Sequence, residues 1–230
     1  MKSRLRKEIS VVIVEDHRMF REQLVRLINK TDGMKVCGEA DNIRDGFALI
    51  KQLKPSIAIV DITLKGSSGL ELLKDLRAQG VAVPAVVLSM HDESLYAERA
   101  LRAGARGYVT KSEDSAKLLR AIRQVLNGEI YLNRSFMSRM VHRMVNGRGN
   151  GRDNGGALPV DRLADRELEV FDLVGRGLTT RQIATQLGLG VTTVDTYQAR
   201  IKEKLNLENA ARLRIEASRW VQHVECDSLR

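Results

Sequence analysis

Acidic side chains follow two separate apolar segments of this chain. Glu15 and Asp16 follow the run 11–14, and Asp61 follows the run 57–60. Carboxylates brought together in this number repel one another unless a cation lies between them. Hard oxygen ligands with few protein contacts suit Mg²⁺, which keeps several of its waters and binds beside phosphate. The pattern therefore predicts a magnesium site that contains all of these residues.

A hydroxyl and an ammonium follow two further segments of the same kind. Ser89 follows the run 85–88, and Lys111 follows the run 107–110. A lysine ammonium provides a point charge for phosphate, and a serine hydroxyl provides a hydrogen-bond donor. Because aspartyl phosphate is an established covalent state, these groups beside Asp61 predict phosphoryl transfer onto its carboxylate.

These side chains meet only if the apolar segments are neighbouring strands. Residues 9–127 fit five strand-then-helix units, with strands at 9–14, 34–40, 57–60, 85–88 and 107–109. Continuous aliphatic runs are typical of strands covered by helices on both faces. Alternating units of this length predict an α/β fold, a doubly wound five-stranded parallel sheet of the flavodoxin-like kind. In such a sheet the carboxyl ends of the strands form one rim, where ligands bind.

The pattern changes after Gly128. A helix is expected over 136–145, and the Gly-rich run 146–156 predicts a flexible linker. A phosphate cradle is the weaker interpretation of that run, because no strand precedes it. From residue 158 onward the periodicity predicts four helices, at 166–174, 179–187, 191–205 and 209–220. Two short helices joined by a Gly-containing turn are typical of a helix-turn-helix, whose second helix enters the major groove of DNA.

Composition supports a polyanionic partner. The chain has 230 residues and a formal net charge of +9 at pH 7, and such an excess favours nucleic acid as partner. Cys37 and Cys226 give neither metal spacing nor a disulfide framework, and we expect Cys37 to be a buried strand residue. The charged start is unlike a signal peptide, and no run reaches the ~18 apolar residues of a membrane span. We therefore expect a cytoplasmic protein without a membrane partner.

The rim residues match the receiver domain of bacterial two-component response regulators, through Glu15, Asp16, Asp61, Ser89, Tyr108 and Lys111. The later helices resemble the LuxR-type DNA-binding domain, through Leu163, Arg166, Glu167, Gly177, Leu178, Ile183, Ala184, Leu187, Thr193, Val194, Ile201, Lys204 and Leu205. Together the two halves resemble a transcriptional regulator of the NarL/FixJ family. On this basis we assign the receiver to 1–130, a linker to 131–157, the DNA-binding domain to 158–222 and a tail to 223–230.

The resemblance implies a role for each acidic rim residue. Asp61 would accept the phosphoryl group, and Lys111 would pair with it. Mg²⁺ would be held by Asp16 and Asp61, with Glu15 assisting. The main-chain carbonyl of Thr63 would complete the protein ligands.

The resemblance also implies a switch and a set of partners. Ser89 would swing in to bond a phosphoryl oxygen, and Tyr108 would follow it inward. A histidine kinase would donate the phosphoryl group, and the protein would bind double-stranded DNA as a homodimer, with RNA polymerase as a further candidate partner. The chain would not be an enzyme with small-molecule turnover, although it would dephosphorylate itself.

The helix at 191–205 is expected to read DNA. Its exposed, DNA-facing positions would include Thr192, and base edges would be contacted by Asp195, Thr196 and Ala199. Phosphates would be bound by Arg181, Arg200, Lys202 and Lys204. Two interpretations of Asp195 stay open, a base contact or complementation of the helix dipole. Lys202 and Lys204 would alternatively lie on a solvated face, and Trp220 would pack inside the domain or contact a second copy.

The chain departs from the family pattern at several positions. Lys65 stands where the family usually has Pro, which predicts a less rigid loop after Asp61. Ala164 stands where Ser or Thr caps the first helix of the DNA-binding domain, and we expect Asp165 to cap it instead. Gly190 replaces a common Ser, and Tyr197 a common His.

Other functions fit less well. A phosphatase of the haloacid-dehalogenase kind also forms an aspartyl phosphate, but it needs a carboxylate two positions after the nucleophile, where this chain has Thr63. A receiver that works without phosphate would not need the whole set of rim groups. A quorum regulator shares the DNA-binding half but not the acidic front half. Incidental charges on a flavodoxin-like fold would not explain matching groups at four strand ends.

Overall fold

Residues 1–133 and 134–230 form two compact units of the computed structural model. The structure describes residues 8–90, 93–133, 136–138 and 160–228. Most of the predicted helix 136–145 and all of the Gly-rich run 146–156 lie outside these residues.

A parallel sheet forms the first unit. Its strands are β1 (Ile9–Val14), β2 (Met34–Ala40), β3 (Ile57–Asp61), β6 (Ala85–Ser89) and β7 (Gly107–Thr110), in the order β2-β1-β3-β6-β7. A short antiparallel hairpin of β4 (Thr63–Leu64) and β5 (Ser67–Ser68) follows β3. The five predicted strands are confirmed. The hairpin was not predicted, because two-residue strands leave no hydrophobic period in the sequence.

Helices cover both faces of this sheet. They are α1 (Arg18–Asn29), α2 (Ile43–Leu53), α3 (Gly69–Ala78), α4 (Glu93–Ala103) and α5 (Ser115–Leu126). On one face, Val11 and Ile59 pack with Leu24 of α1 and Ile122 of α5 in a single aliphatic core. The alternate strand residues point to the other face, where α2 approaches Val14 closely at Gly46. The doubly wound arrangement is therefore as predicted.

The backbone makes a tight contact where the segment after β3 meets α3. Gly69 begins α3, and its amide donates to the carbonyl of Ile62 at 2.7 Å. A Cβ on Gly69 would lie 1.9 Å from the main-chain oxygen of Asp61. Only glycine therefore allows α3 to begin against the end of β3.

Cys37 corrects one expectation. It is exposed, and not buried as the sequence suggested. The parallel pairing of β1 with β2 shifts between Val11 and Val12, opposite Cys37. Exposure alternates along β2, and Cys37 shares the exposed side with Lys35 and Glu39. Its thiol donates to the Val11 carbonyl at 3.4 Å.

The second unit is helical. After a 3₁₀ turn at Val160–Arg162 come α6 (Asp165–Gly175), α7 (Thr180–Leu187), α8 (Val191–Lys204) and α9 (Ala210–Ser228). All four predicted helices are confirmed. The last helix continues past its predicted end at residue 220, because α9 runs to Ser228. Its added turns begin with buried Val221, which packs where the missing Cβ of Gly175 leaves room.

Helix ends in this unit follow the local chemistry. The predicted capping box of α7 is confirmed, since the Thr179 amide donates to Gln182 Oε1 at 2.9 Å. The N-cap of α6 is Ala164, so the expectation that Asp165 would cap it is wrong. Ala164 has no side-chain acceptor. Glu167 provides the reciprocal bond, because its Oε2 accepts from the Ala164 amide at 2.8 Å.

Trp220 packs within the domain. Its ring lies 5.3 Å from that of Phe171, measured between centroids and tilted by 55°. This contact confirms the packing interpretation of the sequence. In the described part of the chain, no helix combines the length and the apolar character that crossing a membrane requires.

The close approach at Gly69 generates a stability prediction. Gly69→Ala should lower the free energy of unfolding of residues 1–133 by about 3 kcal/mol or more, because the new methyl meets backbone that cannot rotate away. Chemical denaturation followed by circular dichroism measures this change.

Gly46→Ala is the matched control. Its Cβ would meet the Val14 methyls at 2.9 and 3.1 Å, and side-chain methyls can shift where a carbonyl cannot. Its cost should be smaller than that of Gly69→Ala, since a side chain can move more easily than the backbone and alanine also improves helix propensity. Equal stability losses for the two variants would contradict the argument.

Candidate metal centre and nucleic-acid interface

Asp61 lies on the central strand of the sheet. It is the last residue of β3, between β1 and β6, and it is only 3% exposed. Burial follows from this place, because strands and helices enclose it on several sides. Desolvating a carboxylate is costly unless other groups compensate for it.

Lys111 supplies that compensation. Its Nζ lies 2.7 Å from Asp61 Oδ2, to which it donates a hydrogen bond. The same nitrogen lies 2.7 Å from Glu15 Oε2, an ion pair that falls short of hydrogen-bond geometry at Oε2. The ring of Phe20 covers the ammonium at 4.9 Å from its centroid. One buried cation thus joins two carboxylates from different strand ends.

Burial and charge act against each other on these groups. Burial raises the pKa of Asp61 to about 7, the ammonium of Lys111 opposes the shift, and the carboxylate of Glu15 adds to it. For Lys111, burial lowers the pKa, but the two carboxylates outweigh burial and the net shift is upward. Lys111 therefore stays cationic, whereas Asp61 holds its proton more tightly than an exposed carboxyl does.

Residues that the sequence did not suggest hold the acidic loop. The His17 amide donates to Glu15 Oε1 at 3.1 Å, and Arg21 Nη1 donates to the Glu15 carbonyl at 2.5 Å. Nε of Arg21 also lies 3.6 Å from Oε2 of Glu39 in β2. The only available signal was a basic residue in α1 shortly after the acidic pair, which is too common to be specific.

Lys65 provides a second tether. Its main-chain amide donates to Asp16 Oδ2 at 2.9 Å. Proline at this position would carry no amide hydrogen and could not make this bond. Lys65 therefore brings a hydrogen bond to an acidic rim residue, and the less rigid loop stays a prediction.

The acidic residues form a cluster that suits a hard cation. Glu15, Asp16 and Asp61 each offer one carboxylate oxygen, and these atoms lie within 4.8 Å of one another. Only one ammonium, that of Lys111, pairs with the cluster among the described residues. An oxygen-only set with excess negative charge fits Mg²⁺.

The remaining rim residues lie at the ends of neighbouring strands. Ser89 is the last residue of β6 and is fully buried. Its carbonyl accepts from the Lys111 amide at 2.7 Å. Tyr108 lies in β7 with its side chain buried, and Thr63 makes a backbone hydrogen bond that lowers the pKa of Asp61. Ser89 and Thr63 therefore lie at the same edge of the sheet as Asp61, whereas Tyr108 pairs with Val87 before the end of β7.

The exposed face of α8 carries most of the predicted DNA contacts. Val194, Ile201 and Leu205 are buried and fix the inner face of this helix. The outer residues are exposed, and they are Thr192, Asp195, Thr196, Ala199 and Arg200, while Lys202 is half-buried and Arg181 is exposed in α7. The helix pair is joined in part by Gln198, whose Nε2 donates to Thr180 Oγ1 at 3.3 Å.

Lys204 differs from the other predicted phosphate contacts. Its Nζ lies 2.6 Å from Oε2 of Glu167, whose side chain is only 3% exposed. Glu167 thus holds the start of α6 and the end of α8 together. The ammonium of Lys204 is engaged inside the domain, so a structural role fits it better than the predicted phosphate contact.

Both halves match known families. Residues 11–123 match the family described as "Response regulator receiver domain". Residues 161–217 match "Bacterial regulatory proteins, luxR family".

Curated relatives match along most of the chain. The transcriptional regulatory protein DesR of Bacillus subtilis is 32% identical over 91% of this chain and 94% of its own. The nitrate/nitrite response regulator protein homolog of Haemophilus influenzae is 30% identical over 89% and 94%. Among solved structures, RcsB of Salmonella enterica serovar Typhimurium bound to promoter rprA has a TM-score of 0.57 at 20% identity, covering 92% of this chain and 98% of that one. At that identity the likeness shows the fold alone.

The raised pKa of Asp61 predicts a pH-dependent stability. Because the folded protein binds this proton more tightly than the unfolded chain, ionising Asp61 destabilises the fold. Without divalent cations, wild-type stability should fall relative to Asp61→Asn as pH rises from about 4 to about 7, by the order of a few kcal/mol in all. Below about pH 4 the two proteins should converge.

Urea unfolding in EDTA across this pH range tests the prediction. Asp75→Asn, which removes an exposed carboxyl in α3, is the matched control. Its stability should depend on pH in the same way as that of the wild type. A constant difference between wild type and Asp61→Asn would contradict the assigned shift.

The ion pair of Lys204 predicts a separation of stability from DNA affinity. Lys204→Met should lower the stability of the second unit by about 1–3 kcal/mol, because buried Glu167 loses its charged partner. The slope of log affinity against log salt should not change, since no phosphate contact is lost.

Lys202→Met is the matched control, two residues away and without an ion pair among the described residues. It should leave stability unchanged and reduce the magnitude of the salt slope by about 1. Fluorescence anisotropy with duplex DNA at several salt concentrations gives the slopes. A shallower slope for Lys204→Met would assign Lys204 to phosphate after all.

Proposed function

The chain belongs to the transcriptional response regulators that join a receiver domain to a LuxR-type DNA-binding domain, and from this we propose that phosphorylation of Asp61 controls its binding to duplex DNA. The observation that carries the proposal is the buried Asp61 carboxylate hydrogen-bonded to Lys111 at 2.7 Å. A carboxylate in this place is desolvated, fixed in orientation and beside a permanent cation.

Phosphoryl transfer would proceed by attack of the Asp61 carboxylate on phosphorus. With a phosphohistidine donor on a histidine kinase, the new O–P bond forms as the P–N bond breaks, and the electron pair returns to the imidazole. Lys111 already faces Asp61 and would pair with an oxygen of the incoming group. Positioning and charge complementarity then supply most of the catalysis.

Mg²⁺ fits the acidic cluster of Asp16, Asp61 and Glu15. When bound, it would neutralise charge on the phosphoryl oxygens. The protein's share of the ligands would include the main-chain carbonyl of Thr63. The amide of Lys65 and the side chain of Arg21 hold the acidic loop, so Asp16 and Glu15 need little rearrangement to act as ligands.

The phosphoryl group would be read out through neighbouring strands. Ser89 would donate its hydroxyl to a phosphoryl oxygen, and Tyr108 in the adjacent strand would repack. A local charge then changes a packed surface, as in other phosphorylation switches. Slow loss of the group to water would reset the switch.

The output is DNA binding through α8. Exposed Arg181 and Arg200 and half-buried Lys202 would contact phosphates, and the outer face of the helix would enter the major groove. Binding as a homodimer would follow, because RcsB is described as dimers bound to DNA. Contact with RNA polymerase stays a prediction.

Incubation with acetyl phosphate and Mg²⁺ tests the proposal. Intact mass spectrometry should show the gain of a single phosphoryl group in the wild type, and none in Asp61→Asn. EDTA should abolish the gain. Phosphorylated protein should bind its operator at least about tenfold more tightly, a free-energy difference of about 1.4 kcal/mol.

Asp75→Asn is the control, because it removes an exposed carboxyl from the same unit. A mass gain that persists in Asp61→Asn would assign the acceptor elsewhere. Equal operator affinities before and after phosphorylation would show that the receiver acts without phosphate.

A further inference from the structure

One face of α8 is unusual in its chemistry. Thr192, Asp195, Thr196 and Ala199 follow the spacing i, i+3, i+4, i+7, which places them side by side on the helix. All of them are exposed. We call these residues the reading face.

The reading face presents methyl groups and one carboxylate. The hydroxyl of Thr196 donates to the Thr192 carbonyl at 2.9 Å, so its hydrogen is not available to a base, although its oxygen can still accept. Its methyl group and that of Ala199 remain as apolar contacts. Val191, at the first position of the helix, is 44% exposed and extends the apolar surface toward the end that enters the groove.

Asp195 is the only charged group on this face. It has no ion pair or side-chain hydrogen bond among residues 160–223 of the structure. It lies beyond the first turn of α8, where no acidic residue occurs, so the dipole interpretation loses its main support. An exposed carboxylate beside DNA is repelled by phosphates, and a contact that compensates for this is needed in the bound state.

Cations are missing from the part of the helix that reads bases. Between Val191 and Ala199 the sequence contains no Lys or Arg, and Arg200 is the first. Guanine offers only acceptors, O6 and N7, to the major groove and is read by cationic donors. The reading face therefore has no cationic donor for guanine. Among the described residues of this face, the hydroxyl of Thr192 is the one neutral donor that the backbone does not engage, and Asp195 would be repelled by guanine.

Cytosine suits Asp195 best. Its N4 amino group is a donor with no acceptor beside it in the major groove, whereas adenine places N7 next to its N6 donor. Thymine presents an O4 acceptor, which repels a carboxylate, and a methyl group, which suits Thr196, Ala199 and Val191.

We propose that α8 reads a pyrimidine strand, with Asp195 accepting a hydrogen bond from cytosine N4 and the methyl surface of Thr196, Ala199 and Val191 contacting neighbouring thymines. This inference rests on the proposed DNA-binding function and names the base edges it selects. Asp195 and Ala199 are about 6 Å apart along the axis, roughly two base-pair steps. The cytosine and a thymine contact therefore fall within the same short half-site.

Selection of bound duplexes from a random pool by the full-length protein, with and without acetyl phosphate and Mg²⁺, gives the operator. The expected half-site holds a fixed cytosine with thymine nearby on the same strand. Replacing that cytosine by N4-methylcytosine should weaken wild-type binding by about 5- to 150-fold, the usual range for one base contact. Replacing the thymines by uracil removes only the methyl groups and should also weaken binding.

Asp195→Ala distinguishes the contact from a structural role. Its discrimination against N4-methylcytosine should vanish, while its affinity for unrelated duplex rises because a negative charge near phosphates is gone. Asp195→Asn should shift the preference toward adenine, which accepts and donates to an amide. Glu203→Ala removes another exposed carboxylate of α8 and should preserve the cytosine preference.

The outcomes separate this inference from the proposed function. If the full chain selects no sequence and shows no salt-dependent duplex binding, the proposed function fails. If it selects an operator but Asp195→Ala keeps the same preference for cytosine, or a guanine occupies that position, only the pyrimidine inference is wrong.

Discussion

The pairing of one buried ammonium with two carboxylates holds the site together. Nζ of Lys111 lies 2.7 Å from Oδ2 of Asp61 and 2.7 Å from Oε2 of Glu15. Lys111 follows β7, the last strand along the chain, whereas Glu15 follows β1 and Asp61 ends β3. Without this cation, Asp61 and Glu15 would be buried beside each other with like charge. The strand order, the strand lengths and the packed helices must therefore all bring these three side chains together.

The strand ends were predictable because a polar residue directly follows an apolar run in the sequence. Apolar runs that stop at Asp61 or Ser89 define both the strand and the functional residue, and parallel order brings them to one edge. The tethers were not predictable in the same way. Arg21 reaches a main-chain carbonyl, and Lys204 reaches Glu167 across the domain. Neither contact leaves a spacing pattern, because each depends on how two packed elements meet.

The helical unit shows how an ion pair to a buried carboxylate limits what a basic residue can do. Lys202 and Lys204 looked equivalent in sequence, since both lie near the end of one amphipathic helix. Packing separates them, because only Lys204 reaches the buried carboxylate of Glu167. The positive charge of the chain therefore overstates the charge available to DNA, and the outer face of α8 depends on neutral groups more than the composition suggests.

The hydrogen bond from Lys65 to Asp16 belongs to the backbone. Every residue except proline carries the same donor, so a scan of side-chain replacements would register nothing at position 65. What matters at this position is that the residue carries an amide hydrogen, whatever its side chain. The contact that positions Asp16 thus requires any residue but proline at position 65. Only the replacement of Lys65 by proline would reveal this requirement.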